Sequence, residues 1–316
     1  MSTISVALIS SLPSEENPLD FHYQLQKIGY EKYGMKVDLL KNGEFVYSIK
    51  ENQEKPKLYY SQKPFDPGEY NLALARLAIK AAHGGDHYVL REFQNSQVPV
   101  INPCDALLKA KDKLHTLQRL SIAGLPVTPT AVIRKREEIG FALSLLGKPP
   151  YIIKSPFGSG GSSVLQASTS AQVFAIFDYA WHIDRNEILL IQSYLGEETA
   201  QDVRSLYFNY KPWRAMVRQA SQGEFRANVK IGANTEITML TQEEQNICYR
   251  AARETGLVLA GIDFLRTNHG PVILEVNGCP GLMGIASAYQ RQNIDIIDEF
   301  ALLLLEYAKN TKTASR

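Results

Sequence analysis

The feature that most constrains the chain is a pair of apolar runs, each with a polar residue set where a sheet would bury it. Ala260-Gly261-Ile262-Asp263-Phe264-Leu265-Arg266 and Val272-Ile273-Leu274-Glu275-Val276-Asn277 flank the link Thr267-Asn268-His269-Gly270-Pro271, which predicts paired strands over 259–266 and 271–277. An unpaired polar group in such a core costs about 2–7 kcal/mol, so these side chains need partners or a ligand. Glu275 and Asn277 share a face by period-two alternation, and Asp263 sits on the paired strand. Three oxygen donors on one rigid hairpin suit a hard divalent cation, Mg²⁺ or in its place Mn²⁺. A hydrogen-bonded polar group beside a turn is the plainer alternative.

A second segment carries phosphate chemistry. The strand Tyr151-Ile152-Ile153-Lys154 delivers a lysine into Ser155-Pro156-Phe157-Gly158-Ser159-Gly160-Gly161-Ser162-Ser163. Glycines let backbone N–H groups approach phosphate oxygens closely, and the lysine adds a point charge. It is not a Walker A loop, because the lysine precedes the glycines and no GK[ST] follows. A surface hairpin would read the same way. Gly278-Cys279-Pro280-Gly281-Leu282-Met283-Gly284 then forms a sharp turn after the metal candidates. Its N–H groups could hold an anionic substrate, or it simply connects a strand to a helix. Cys279 has no His nearby in sequence to serve as its base, so it is not read as a nucleophile.

Composition narrows the class. At 316 residues, 45% hydrophobic and 21% charged, the chain is long enough for two or three lobes. Lys+Arg at 34 against Asp+Glu at 33 gives a net charge of +1, so neither direct nucleic-acid binding nor a membrane partner is expected. Cys104, Cys248 and Cys279 offer neither a CxxC pair nor an even framework, which excludes a structural zinc or disulfide scaffold. With no basic, apolar leader, and Phe300 to Leu305 too short to span a bilayer, a cytoplasmic protein is expected.

Along the chain, Ile4 to Ile9 predicts a buried strand, Phe21 to Tyr33 a helix and Lys36 to Leu40 a second strand. Asn42-Gly43 predicts a hairpin turn between Val37–Leu40 and Glu44–Tyr47. Residues 50–68 read as a loop with little regular structure, and Leu72, Leu74, Leu77, Ala78 and Ala81 as one helical face. Val98 to Ile101 is a strand closing a small lobe, and Leu107 to Ala123 one helix ended by Gly124 and Pro126. Strands at 130–134 and 151–154, helices at 171–180 and 242–255, and a last helix from about 293 to 308 complete the α/β pattern. No internal repeat is seen.

Taken in order, the motifs resemble an ATP-grasp ligase, nearest to the ribosomal-protein glutamate ligase (RimK-type) branch. The matching residues are Val100-Ile101-Asn102 with Asp105, Lys111-Asp112-Lys113-Leu114, Ile152-Ile153-Lys154 with its glycine loop, and Gln192-Ser193-Tyr194-Leu195. They continue with Asp202-Val203-Arg204, Met216-Val217-Arg218, Phe225-Arg226-Ala227-Asn228, Gly261-Ile262-Asp263 and Glu275-Val276-Asn277-Gly278. The likeness runs from about residue 70 to the end. It implies an α+β ATP-grasp fold in which a small N-terminal lobe (1–103) precedes a middle lobe (104–190) and a C-terminal lobe (191–316) that clasp ATP.

By the same resemblance Lys113 and Lys154, with Gly158, Ser159, Gly160 and Gly161, grip the phosphates. Gln192, Tyr194 and Leu195 line the adenine pocket, and Asp202 lies near the ribose. Arg226 and Asn228 lie near the phosphates and the reacting carboxylate. Arg204 and Arg218, with Lys154, act on the acyl-phosphate, and Asp263, Glu275 and Asn277 hold the metal. Departures are Ser193 in place of an acid, a missing second basic residue over 228–232, and Gly278-Cys279 in place of Ala-Ser. The implied activity joins an amino acid, glutamate or another, to a carboxylate acceptor such as a protein C-terminus through an acyl-phosphate. A small peptide, amino acid or cofactor precursor is the alternative acceptor, and a nucleotide-binding regulator without turnover is the rival class. A homo-oligomer is left open.

Overall fold

The computed structural model describes residues 3–11, 20–49, 57–77, 87–158, 164–195, 201–221, 224, 226 and 232–314. The first part of the chain runs β1 (Ser5–Ser10), α1 (Phe21–Tyr33), β2 (Lys36–Lys41), β3 (Phe45–Ser48), β4 (Lys57–Tyr60), β5 (Lys63–Phe65), β6 (Leu72–Arg76), α2 (His87–Asn95) and β7 (Val100–Ile101). Four of these strands form a parallel sheet in the order β2-β1-β6-β7. Val6 to Ile9 are all buried because helices or loops cover both faces of that sheet, so its strands read as unbroken apolar runs. Helix α1 starts where the Asp20 side chain accepts the His22 N–H at 2.8 Å, and it ends at Gly34, whose φ of +59° lets its N–H turn back to Tyr30 O.

Three expectations fail in this part. Leu72–Arg76 is a strand, not a helix: with both faces buried, alternating Leu and Ala carries no period that separates the two. Ala78 and Ala81 lie outside the described residues. Asn42–Glu44 is a single 3₁₀ turn and not a hairpin, because β2 pairs with β1 while β3 pairs with β4. The segment read as loop contains β4 and β5, which with β3 make a small antiparallel sheet. Pro64 is tolerated there because β5 is an edge strand, where a missing N–H is harmless. An aromatic cluster of Phe45, Tyr60, Phe65, Tyr70 and Phe93 fastens this sheet to the lobe.

The chain continues as α3 (Cys104–Lys111), α4 (Lys113–Ile122), β8 (Thr130–Val132), α5 (Ile139–Leu146), β9 (Tyr151–Lys154), β10 (Val164–Ala167), α6 (Ser170–Ile183) and β11 (Leu190–Ser193). The single helix expected over 107–123 is two. Asp112 breaks it by capping α4, accepting the His115 N–H at 3.0 Å, while the Lys113 N–H leaves the helix for Pro156 O at 3.0 Å. The order β10-β9-β11-β8 is antiparallel throughout, and α5 and α6 cover one face through Ile139, Leu143, Val173 and Phe177. The opposite face carries Ile152, Lys154 and Gln192.

The last part runs β12 (Gln201–Phe208), β13 (Lys211–Gln219), β14 (Asn234–Ile237), α7 (Gln242–Thr255), β15 (Leu259–Thr267), β16 (Gly270–Asn277), α8 (Met283–Gln290) and α9 (Ile296–Ala314). These five strands form an antiparallel sheet, β14-β13-β12-β15-β16. Helix α7 begins with the reciprocal Thr241–Glu244 capping box and ends at left-handed Gly256. Together with α3 and α4 it buries one sheet face, through Val203, Ile262, Phe264, Ile273 and Val276. Leu206, Phe208, Met216 and Leu259 pack on α8, α9 and the N-terminal sheet. The expected last helix starts at Ile296 and runs to Ala314, and α8 before it was not foreseen. Among the described residues no helix is long and apolar enough to cross a membrane.

The turn after β16 presses directly on β15. A Cβ built on Gly261 would stand 2.7 Å from Pro280 Cβ, and one on Gly278 would stand 2.8 Å from Leu107 Cδ1. Gly261→Ala should therefore destabilise the protein by about 1–3 kcal/mol in denaturant unfolding, as overpacking of a tight contact does. A change under about 0.5 kcal/mol would mean that the turn yields freely.

Candidate active site

Strand register assembles the site. Asp202 lies opposite Arg218 across β12 and β13, Arg204 opposite Asp263 across β12 and β15, and Asp263 opposite Glu275 across β15 and β16. A bulge then moves the partner of Phe264 to Ile273, leaving Leu274 as the extra residue. Phe264 and Ile273 can thus both face the core under α7, while Asp263, Glu275 and Asn277 gather on the other side.

Asp263 is the node of that face. Arg204 forks onto it with Nε–Oδ1 at 2.7 Å and Nη2–Oδ2 at 2.6 Å, and Arg218 Nη2 reaches Oδ2 at 2.9 Å. Arg218 forks in turn onto Asp202, at 2.6 and 2.5 Å. Asn277 Nδ2 donates to Glu275 Oε1 at 2.9 Å and more weakly to Asp263 Oδ2 at 3.4 Å. With Asp263 at 2% exposure and Arg218 at 4%, these are desolvated, bidentate pairs, the geometry in which ion pairing is strongest. Burial pushes the Asp263 carboxyl up, but two guanidiniums outweigh it and hold the pKa at about 2. Asp202 shares a single guanidinium, and burial raises it to about 6. Asp263 is therefore the firmly ionised member.

Facing this sheet is Lys154 at the end of β9, 8% exposed. Burial lowers its pKa to about 8, with Lys113 adding to the drop and Glu275 and Asp263 opposing it. One cleft is lined by Lys113, Gly158, Glu275 and Asn277. Within it Lys113 Nζ donates to Gly158 O at 2.8 Å. Two carboxylates and one amide oxygen fit a hard divalent cation. Among the described residues no group of three or more Asp, Glu, His or Cys forms a full metal cage, so the set would leave positions for water and phosphate oxygens, as Mg²⁺ prefers. The Asn277 amide would turn to present its oxygen.

The remaining sequence-predicted residues are placed as follows. Gln192 is buried on the cleft face of β11 and donates Nε2 to Thr130 Oγ1 at 2.7 Å. Tyr194 has already given its N–H to Pro150 O at 3.2 Å, which leaves its carbonyl and the backbone of Leu195 at the strand end. Ser193 turns away from the cleft to donate to Leu146 O at 2.8 Å. The Arg226 guanidinium forks onto Glu224, at 3.0 and 2.8 Å. Ser159, Gly160, Gly161 and Asn228 lie outside the described residues.

The sequence reading missed the function of Asn102. Buried at the end of β7, it donates Nδ2 to Leu259 O (2.7 Å) and Gly278 O (2.5 Å) and accepts the Leu259 N–H (2.8 Å), so it ties the N-terminal sheet to the turn behind the metal candidates. Its sequence signals were its place in the Val100-Ile101-Asn102 match and a polar residue directly after an apolar strand, and neither names its partners.

A family model for the RimK-like ATP-grasp domain matches residues 110–301. A probable alpha-L-glutamate ligase 2 of Shewanella frigidimarina is 33% identical over 246 residues, covering 78% of this chain and 81% of that protein. The chain belongs to the RimK-like ATP-grasp family, and it is an ATP-dependent carbon–nitrogen ligase that forms amide bonds. Its fold is shared with a RimK domain protein of Sphaerobacter thermophilus, at TM-score 0.68 and 17% identity over 95% of this chain and 98% of the other. It is shared also with the ATP-grasp ligase PsnB in complex with a variant of its minimal precursor, Mg and ADP, at TM-score 0.67 and 18% identity over 96% of this chain and 99% of PsnB.

Removing charge from the node should cost stability, whereas removing it at the rim should not. Asp263→Asn leaves Arg204 without its carboxylate and Arg218 with Asp202 alone, and is expected to lower the unfolding free energy by about 3–5 kcal/mol. Glu275→Gln keeps its hydrogen bond at a partly exposed position and should cost about 1 kcal/mol or less. Denaturant unfolding of both variants decides; equal losses would remove Asp263 from its place as the node.

Proposed function

We propose that this enzyme adds an amino acid, glutamate first among the candidates, to the carboxylate of a peptide or protein C-terminus. The convergence of Asp263, Glu275 and Asn277 on one sheet face opposite Lys154 and Lys113 carries the reading. Glutamate is favoured by the relative named as a probable alpha-L-glutamate ligase. A smaller acceptor (a short peptide, an amino acid or a cofactor precursor) is compatible with the same site.

In this reading the lobes 104–190 and 191–316 clasp ATP, and 1–103 faces the acceptor. Lys113, Lys154 and the loop Gly158, Ser159, Gly160 and Gly161 hold the phosphates, and Gln192, Tyr194 and Leu195 border the adenine. Asp202 lies toward the ribose side and, through its fork, fixes Arg218. Asp263, Glu275 and Asn277 would hold Mg²⁺, or Mn²⁺ in its place, which supplies charge neutralisation on the phosphates. The acceptor carboxylate attacks the γ-phosphorus and releases ADP, leaving an acyl-phosphate. Arg204, Arg218 and Lys154 face the charge on the transferring group, an electrostatic effect that is strong where water is excluded. Arg226 and Asn228 are assigned to the phosphates and the reacting carboxylate. The amine then attacks the acyl carbon, phosphate leaves with the bonding pair, and the nitrogen loses a proton. No protein nucleophile is required. The cytoplasm, with its ATP, is the setting.

ADP release from MgATP, measured across amino acids crossed with carboxylate acceptors, tests this directly. The expected product is lighter by one water than the sum of its two substrates, and Glu275→Gln should reduce turnover on the order of a hundredfold or more. Release of ADP independent of any amine, or an active Glu275→Gln variant, would overturn the assignment.

Lys154 gives a pH test. Its pKa, lowered from 10.5 to about 8, means that the charged form is lost as pH rises through that value. Phosphate binding needs the charge, so MgATP affinity should weaken between pH 7 and 9.5, while Lys154→Arg should flatten the profile. The folding term runs the other way: because the folded-state pKa is the lower one, Lys154 adds stability as pH rises between 8 and 10.5. An unchanged wild-type affinity across the range would place Lys154 away from the phosphates.

A further inference from the structure

The strand order of the parallel N-terminal sheet reverses at β1, with β2 on one side and β6 on the other. Open α/β sheets take ligands in the crevice at the carboxyl ends of strands at such a switch point. Ser10 and Arg76 stand paired there. Arg76 Nη1 donates to Pro280 O at 3.0 Å, and the guanidinium lies over Phe21, 5.0 Å from the ring centre. Arg204, Arg214, Arg218 and Arg266 are each held by an acid, but among the described residues no carboxylate pairs with Arg76. A guanidinium has five N–H donors. Burial pulls the Arg76 pKa below the ordinary arginine value, and the neighbouring Cys279 and Asp20 offset only part of that.

Beside it is a second unanswered group. His22 Nδ1 is fixed 2.6 Å from Asp20 Oδ1, and the ring packs edge-on to Phe21. That leaves Nε2, which is buried and has no hydrogen-bond partner among the described residues. Buried polar atoms without partners are few in native proteins, and each needs a reason. The crevice also abuts the turn that follows the metal candidates: Cys279 Sγ lies 3.5 Å from Ala75 O, and Arg76 holds Pro280.

We propose that this crevice is a second-carboxylate site, in which Arg76 binds a substrate carboxylate that is not being activated and His22 Nε2 takes a neighbouring polar group of the same molecule. The inference rests on the ligase reading above and names its substrate class as acidic. The activated carboxylate belongs on the Asp263–Glu275 face, whereas Arg76 reaches the far end of the 278–281 turn, so the group it holds is a different one. Either the incoming amino acid or the acceptor could supply it, as an α- or side-chain carboxylate.

Titrations of L-glutamate, glutarate and 4-aminobutyrate, with and without MgADP, test the site on wild type and Arg76→Ala. L-Glutamate or glutarate should bind wild type and weaken at least roughly 30-fold in Arg76→Ala, the loss expected when one partner of a buried charge pair is cut away. MgADP affinity should not change. Binding of glutamate but not glutarate assigns the site to the amino-acid substrate, and binding of both assigns it to an acidic acceptor. Should Arg76→Ala fail to fold, Arg76→Lys decides: it keeps the charge, loses the fork, and should still bind several-fold more weakly than wild type. Equal binding by wild type and variant, or no dicarboxylate binding by a wild type that binds MgADP, overturns the site. Failure of wild type to bind MgADP would instead strike the ligase reading.

Discussion

Asp263 is the point on which the charged face of the five-stranded sheet depends. A buried carboxylate is tolerable only when its lone pairs are answered, and here Arg204 on the neighbouring strand answers them with a fork while Arg218, one strand further, adds a single contact to Oδ2. Such pairs add little net stability over an apolar core, so their value lies in placement. Arg204 and Arg218 cannot swing away without stranding a buried charge, and Asp202 holds the outer side of Arg218. The five-stranded sheet thus presents a fixed array of charge rather than a set of mobile side chains. The Leu274 bulge completes it by turning Glu275 and Asn277 toward the same side as Asp263.

The turn at 278–281 joins that array to the N-terminal sheet. Asn102, Ala75 and Arg76, at the ends of β7 and β6, all bond into it, and Pro280 fits against a β15 position where only glycine leaves room. The middle sheet is built differently. Its core is drawn from residues between 131 and 191, and among the described residues its joins to the rest include the Lys113 N–H bond to Pro156 O, the Lys113 Nζ bond to Gly158 O and the Thr128 N–H bond to Ile273 O. Lys154 therefore meets Glu275 across a seam between separately cored units, while Asp263 and Glu275 share one rigid sheet.

How far the sequence reveals this follows from where local pattern and tertiary demand agree. β15 and β16 were legible because apolar runs and the tight link between them point one way. β6 was not, since a strand buried on both faces loses its period-two signature and Leu-Ala repeats fit a helix equally well. The break at Asp112 hid for another reason: the apolar positions on either side keep helical spacing, and only the demand that Lys113 reach Pro156 ends the first helix. Metal candidates stood out as acids inside apolar runs. Asn102, Arg76 and His22 did not, because their partners lie far away in sequence and no spacing rule connects them.

The charges that meet in the cleft are not balanced by the protein alone. Arg204, Arg218, Lys113 and Lys154 gather against Asp202, Asp263 and Glu275, and burial already pushes Lys154 toward its neutral form and Asp202 toward its acid form. Groups displaced in this way are relieved by whatever restores opposite charge nearby. On the proposed reading, a metal-bound polyphosphate is net anionic yet brings a cation to the carboxylate side, so it favours the charged form of Lys154 and adds an opposite charge beside Asp263 and Glu275. Phosphate oxygens favour the charged lysine, and the cation offsets the negative charge that Glu275 and Asp263 bring to the same face. Free nucleotide would serve only the lysines, and free metal only the acids. On the proposed reading the arrangement favours the complex over either part, and Arg204, Arg218 and Asp263 are already held in place by their forks.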